Sequence, residues 1–255
     1  MTHRRRFRWI AWGALAVVAG CAVTASRPAA IDPQADDILK RMCDTISAAP
    51  TLAFEADAQV DERLDTGRLV RLHRHSKVIA ARPDRLFVEM AGDEVGGRFW
   101  YEKGRLTVLD RGANAYASIA VPDRTEKMLD YVVEKYHVTV PLADLFFPNL
   151  YETLTESIES GVYVGVESVE GRDCHHLAFS QAHVDWEIWI DAGERPLPRQ
   201  IAITYKEEPD APQYIAVLDK WDLAAAPTAE TFRFQPPAGA KAVSVDEMIV
   251  RDRGE

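Results

Sequence analysis

The segment CHHLAFSQAHVDWEIWID, residues 174–191, carries one cysteine, three histidines and two aspartates, all side chains able to bind a metal ion or move a proton. A zinc site needs three or four such groups converging on one point. The alternation of polar and apolar residues reads instead as a β-hairpin. On its first strand Cys174, His176 and Ala178 share one face, and His175, Leu177 and Phe179 share the other. The adjacent histidines therefore point apart. On the second strand Trp186, Ile188 and Ile190 lie opposite Glu187 and Trp189. His183 and Asp185 sit at the turn and would need a ligand from elsewhere, such as His73 or His75, which share a face of another strand. The hairpin is expected to hold no essential metal.

Other catalytic constellations are equally sparse. The sequence has no G-x-G-x-x-G, no G-K-[ST] loop and no G-x-S-x-G elbow, so no cofactor is expected. Carboxylate pairs such as Asp36-Asp37 and Glu207-Glu208 occur in solvated-looking stretches, and none is singled out for acid–base work. No catalytic residue is assigned, although a triad assembled in space would leave no sequence trace.

The chain starts MTHRRRFRWIAWGALAVVAGC. Four arginines precede an apolar run from Trp9 to Ala19, too short to span a bilayer, which takes roughly 20 residues, but of the length of a signal-peptide core. It ends in Val18-Ala19-Gly20-Cys21, which resembles the lipobox of bacterial lipoproteins. That resemblance implies removal of residues 1–20, lipidation of Cys21 and, with Ala22 rather than aspartate following, placement on the periplasmic face of the outer membrane. A soluble periplasmic protein is the alternative. The Arg-Arg-x-Phe pattern at residues 4–7 also hints at twin-arginine export. Residues 22–30, AVTASRPAA, read as a flexible tether reaching up to about 30 Å from the membrane. Loss of four arginines lowers the net charge from −10 to −14. Such an acidic chain does not suit phosphate backbones, so nucleic acid is not an expected partner. Besides Cys21 only Cys43 and Cys174 remain. An even pair in an oxidising compartment is read as one disulfide, with two buried free thiols as the alternative.

Residues 32–249 read as a single domain and 250–255 as a tail, with 21–31 forming the lipid site and tether. IDPQADDILKRMCDTISAAP is a helix capped by Asp32, with Pro33 at its first position and Leu39, Met42, Cys43 and Ile46 on one stripe. From Thr51 to Val121 closely spaced strands argue for an antiparallel meander, with turns at Arg82-Pro83-Asp84, Lys103-Gly104 and residues 111–114. In the second strand of that meander Leu69, Arg71, His73 and His75 share one face, and Val70, Leu72, Arg74 and Ser76 the other. A helical insert follows. Asp123 and Glu126 form a capping-box pattern, and Leu129, Val132, Val133 and Tyr136 an apolar stripe. VPLADLFFPNLYETL then crowds Leu142, Leu145, Phe146, Phe147, Leu150 and Tyr151 together, too apolar for a solvated loop. It reads either as helices packed on the sheet or as a lid over a greasy cavity. Five strands resume from Gly161, and FRFQPPAGAKAV is expected to close the chain with a last short strand.

The run from Cys174 to Trp221, together with RPDRLFVEM, VPLADLFF and FRFQPPAGA, resembles a bacterial family of predicted periplasmic proteins of unknown function; the likeness spans most of residues 33–245. This family is similar in fold to the lipoprotein carriers LolA and LolB. The resemblance implies an α+β, mainly antiparallel fold: an open, highly curved half-barrel whose helices plug a hydrophobic cavity. It brings no catalytic residues. It implies an exported, lipid-anchored binding protein holding an acyl chain or other hydrophobic ligand, with unknown protein partners. An envelope scaffold with a packed barrel and an exported enzyme are the alternatives.

Overall fold

The computed structural model describes residues 30–64, 66–93 and 96–248; the signal segment, Cys21, most of the tether and the tail at 250–255 lie outside these. After a two-residue strand β1 (Ala30–Ile31), helix α1 spans Pro33–Ser47. The Asp32 carboxylate accepts the Gln34 backbone N–H at 2.8 Å, as a cap should. Ile38, Leu39, Met42, Cys43 and Ile46 are all buried, which fits the helical stripe.

The first meander comprises β2 (Thr51–Arg63), β3 (Leu69–Ala81), β4 (Arg85–Gly92), β5 (Gly97–Glu102), β6 (Arg105–Asp110) and β7 (Ala115–Ala120). The insert holds α2 (Thr125–Tyr136), a 3-10 turn (Ala143–Phe146) and α3 (Leu150–Thr155). The second meander comprises β8 (Ile158–Val169), β9 (Arg172–Gln181), β10 (Val184–Asp191), β11 (Pro198–Tyr205) and β12 (Gln213–Asp222). A 3-10 turn (Ala229–Phe232) and β13 (Lys241–Ala242) finish the chain.

All strands belong to one curved, unclosed sheet of order β1-β8-β9-β10-β11-β12-β2-β3-β4-β5-β6-β7-β13. Among the described residues only β1 and β13 pair in parallel. The two meanders meet where β12 lies antiparallel to β2, with Tyr214 opposite Val60. The expected open, mainly antiparallel half-barrel is therefore what forms. Its inner face carries the main core: Leu52, Phe54, Ala56 and Ala58 from β2, Leu177 and Phe179 from β9, Ile188 and Ile190 from β10, covered by α1 and the insert. No helix of the described residues is long and apolar enough to cross a membrane.

Three sequence expectations are corrected. The box of Asp123 and Glu126 does not form. The cap of α2 is Arg124, without a side-chain cap bond, and its Nε donates to Glu126 Oε1 at 2.5 Å. The helix start is held instead by Thr125, whose backbone N–H and hydroxyl both donate to the Pro83 carbonyl, at 2.9 and 3.0 Å. On α2, Met128 and Leu129 turn inward while Val133 stays 40% exposed, so the stripe is narrower than its pattern. The last short strand expected within FRFQPPAGAKAV does form, at its far end, with the FRF residues ahead of it outside the sheet. Phe232 and Phe234 lie across the outer face of the first meander, Phe234 against Trp100 (5.0 Å between ring centres) and Tyr116 (4.8 Å), and the last strand is Lys241–Ala242. Finally, Cys43 and Cys174 form no disulfide; both are free and buried. Cys43 belongs to the inner core, whereas Cys174 packs with Val169, Trp189 and Ala202 in a small cluster on the opposite face of the sheet. The sheet stands between the two thiols. Burial pushes Cys43 up to about 12 and also raises Cys174, so neither is a reactive thiolate.

Candidate functional site

The three hairpin histidines sit where alternation places them, and each is engaged separately. His175 contacts the Tyr163 hydroxyl at 3.2 Å on the inner side. His176 stacks on Trp189 at 4.1 Å on the outer side, with Glu187 2.7 Å from Nε2 and Glu167 3.3 Å from Nδ1. These carboxylates flank opposite edges of the ring, an arrangement that cannot enclose an ion. His183 pairs with Glu207 at 2.7 Å at an exposed turn, and Asp185 with Lys206 at 2.8 Å. His75 pairs with Asp57 at 2.7 Å. No three His, Cys, Asp or Glu side chains among the described residues converge as metal ligands.

The inner wall of the half-barrel is the more telling surface. Val60, Val88, Val108, Ile119, Tyr163, Val184, Ile203 and Tyr214 pack against the core yet are only partly buried. Apolar side chains facing the hollow of a curved sheet and still reachable by solvent describe an apolar recess.

One end of this recess is plugged. Phe54, near the start of β2, stacks on Trp221 (4.5 Å) and faces Phe146 of the insert (6.5 Å). Leu145, Phe146 and Leu150 are buried in the core, while Leu142, Phe147 and Tyr151 are partly covered around them. The candidate lid thus divides into a buried plug and a partly exposed rim. Two polar ties fix it. Arg82, at the end of β3, donates to the carbonyls of Phe146 (2.6 Å) and Leu145 (3.0 Å). Its burial lowers its pKa, with Glu126 opposing. The Tyr151 hydroxyl donates to Asp36 of α1, and that bond pushes the phenol up to about 12.

At the other end the β2–β3 and β11–β12 turns come together. Arg63 joins them, donating to the Pro209 carbonyl at 2.7 Å and the Asp210 carboxylate at 2.8 Å. Eight residues beyond Phe54 on the same face of β2 comes Glu62, roughly 26 Å along the strand. Glu62 is 5% exposed and accepts from Arg74 of β3 at 3.3 and 3.4 Å. Tyr205 and Tyr214 complete the set. Burial pushes Tyr205 up to about 12 and raises Tyr214 further, though neither ring is fully covered. Sequence reasoning placed Arg74 on the apolar face of β3 but drew nothing from it. The signal was a charge in the inward phase of each strand: Glu62 after Val60, Arg74 after Leu72.

Residues 35–246 match the family described as predicted periplasmic protein (DUF2092). A search of curated proteins finds no match. Among solved structures, the chain is similar to an uncharacterized conserved protein of Thermus thermophilus at 14% identity and TM-score 0.46, covering 83% of this chain and 99% of that one. It is similar to the Mycobacterium tuberculosis lipoprotein LppX at 10% identity and TM-score 0.43, covering 74% and 96%. It also resembles a LolA superfamily protein of Nitrosomonas europaea at 12% identity and TM-score 0.38, covering 78% and 97%.

Proposed function

The chain belongs to the DUF2092 family of predicted periplasmic proteins, and from that premise we propose that it is a lipid-anchored periplasmic binding protein that takes an acyl chain into its half-barrel. One observation carries the reading. The inner wall presents a row of half-covered apolar side chains, from Val88 and Val108 in the first meander to Ile203 and Val184 in the second. Burial of such surface by a ligand returns about 25 cal/mol per Å². The buried plug of Leu145, Phe146 and Leu150 forms the floor of the recess, and Leu142, Phe147 and Tyr151 form its adjustable rim. No catalytic side chains enter this account. Titration of the purified protein with a fluorescent fatty acid should give saturable binding, and Phe147→Ala should weaken it about tenfold, roughly 1.4 kcal/mol. Absence of saturable binding would leave a packed envelope scaffold, a reading that the tight burial of Leu145, Phe146 and Leu150 favours.

The anchor is Cys21. Its support is the ordered basic, apolar and small-residue leader ending at that cysteine. The first described strand begins at Ala30, so the tether joins the sheet beside β8, where Ala30 pairs with Ser160. Cells grown with a labelled fatty acid should incorporate label into the wild-type protein and not into Cys21→Ser, which should also leave the membrane fraction. Equal labelling of the two would remove the anchor from the proposal.

A further inference from the structure

We infer that the outer edge of β8, from Val162 to Val169, is a docking edge for an extended, basic segment of a partner protein, which joins the sheet there as a further strand. This goes beyond the acyl-chain reading and does not depend on it.

Strand β8 lies next to one end of the sheet, with β9 on one side and only the two-residue β1 on the other. Strand β1 pairs with Ser160 and Gly161, the Asp32 backbone N–H donates to the Gly161 carbonyl at 2.9 Å, and the chain then turns into α1. Among the described residues no strand pairs with that edge beyond Gly161. An unpaired edge presents a row of N–H and C=O groups to any incoming strand, and proteins blunt such edges with lysine, proline or a covering element. From Val162 to Val169 this strand has neither lysine nor proline. It shows valines instead. Val162, Val164 and Val166 are 52, 50 and 56% exposed, the highest values among the large apolar side chains described. Val162 stands opposite Ala178 and Val166 opposite His175, an odd number of residues apart on β9, so the two look to opposite faces of the sheet. A strand laid along this edge would meet an apolar neighbour on each face. Main-chain bonds would supply affinity, and the valines a preference for β-branched partners.

Charge and shape select the occupant. Glu159 and Glu167 on the strand, Glu156 before it, and Glu170 and Asp173 at its hairpin are all exposed. Arg172 is the one basic residue from 156 to 173. A basic segment is drawn to such an edge, and the −10 balance of the whole chain acts in the same sense. A second copy would set these acids against themselves. The strand is also irregular, its register against β9 shifting between Ile158 and Ser160 and again between Tyr163 and Gly165. Bulges of this kind twist an edge away from another rigid sheet, whereas a flexible segment can follow the bend.

The test titrates the full chain with short blocked peptides of alternating valine and threonine, long enough to span Val162 to Val169 and ending in either lysines or glutamates. The lysine-ended peptide should bind saturably, at least about tenfold more tightly than the glutamate-ended one. That gap should shrink as salt is raised. Hydrogen exchange should slow in β8 on binding and stay unchanged in β2–β6. Val162→Lys with Val166→Lys, at two exposed positions, should weaken the lysine-ended peptide at least about tenfold with the melting temperature unchanged. Val133→Lys, at an exposed valine of α2, should leave binding as it is. The same peptide N-methylated at its central residues keeps its side chains but cannot donate to the ladder, and should not bind; this arm decides the matter if the double variant fails to fold. No saturable binding, equal affinities for the two peptides, retained binding of the N-methylated peptide, or protection along β2–β6 in place of β8 would each overturn the inference. So would a wild-type dimer in sedimentation that Val162→Lys with Val166→Lys splits, since the edge would then serve a second copy.

Discussion

Phe146→Ala should lower stability by about 3–5 kcal/mol, whereas Phe147→Ala, one residue along, should cost about 1 kcal/mol or less. Phe146 is 8% exposed, faces Phe54 across 6.5 Å, and sits in the cluster that joins α1 to the inner face of the sheet. Truncation there opens a cavity that neighbours on three elements cannot collapse to fill. Phe147 leaves the 3-10 turn with an extended backbone and lies partly exposed on the rim. For a domain of this size the larger loss corresponds to a fall of roughly 10 °C in melting temperature. Thermal denaturation of the two variants beside the wild type checks the contrast. Equal losses would mean that plug and rim are one packed unit.

Arg82→Met should cost about 3 kcal/mol and free the insert locally before the sheet unfolds. The guanidinium forks onto two carbonyls of the 3-10 turn, from Leu145 and Phe146, and bonds from a charged donor are each worth about 1.5–3 kcal/mol. Removal leaves both acceptors without that donor inside a crowded site. Arg82→Lys should rescue little, because an ammonium cannot span both carbonyls as the planar fork does. Limited proteolysis is the measurement. Cleavage between residues 137 and 150 should accelerate in both variants while fragments from the β2–β7 and β8–β12 meanders stay intact. Unchanged cleavage in Arg82→Met would show that Tyr151 and the apolar plug hold the insert without it.

The features that follow from local period were legible in the sequence. Asp32 and Pro33 announced α1, and alternation assigned the faces of β3, β9 and β10 as they stand. What was missed depends on partners distant along the chain. Asp123 carries the right spacing for a cap, yet Thr125 is claimed by the Pro83 carbonyl, 42 residues away. Phe146 and Phe147 are the same residue type side by side, and only the turn that Arg82 fixes separates core from rim. The disulfide was inferred from compartment and parity. Alternation already put Cys174 in phase with His176, but nothing local says which face of β9 α1 covers. Glu62 and Arg74 each showed as a charge in an apolar phase. That the two meet needs the register that sets Val60 opposite Leu72.

The join between the meanders has a consequence for how the molecule is made. Strand β2 is among the first structured segments of the chain to be synthesised, and its second neighbour, β12, is among the last: Val60 waits for Tyr214. Until then the inner side of the first meander, including Phe54, Ala56 and Ala58, has no opposing wall, and an open edge runs the length of β2. Closing so long a loop before its contacts can form slows folding, so this chain has a high-contact-order route to its native state. Its most vulnerable moment falls between emergence of β2 and arrival of β12, when a holding chaperone would find the strongest demand.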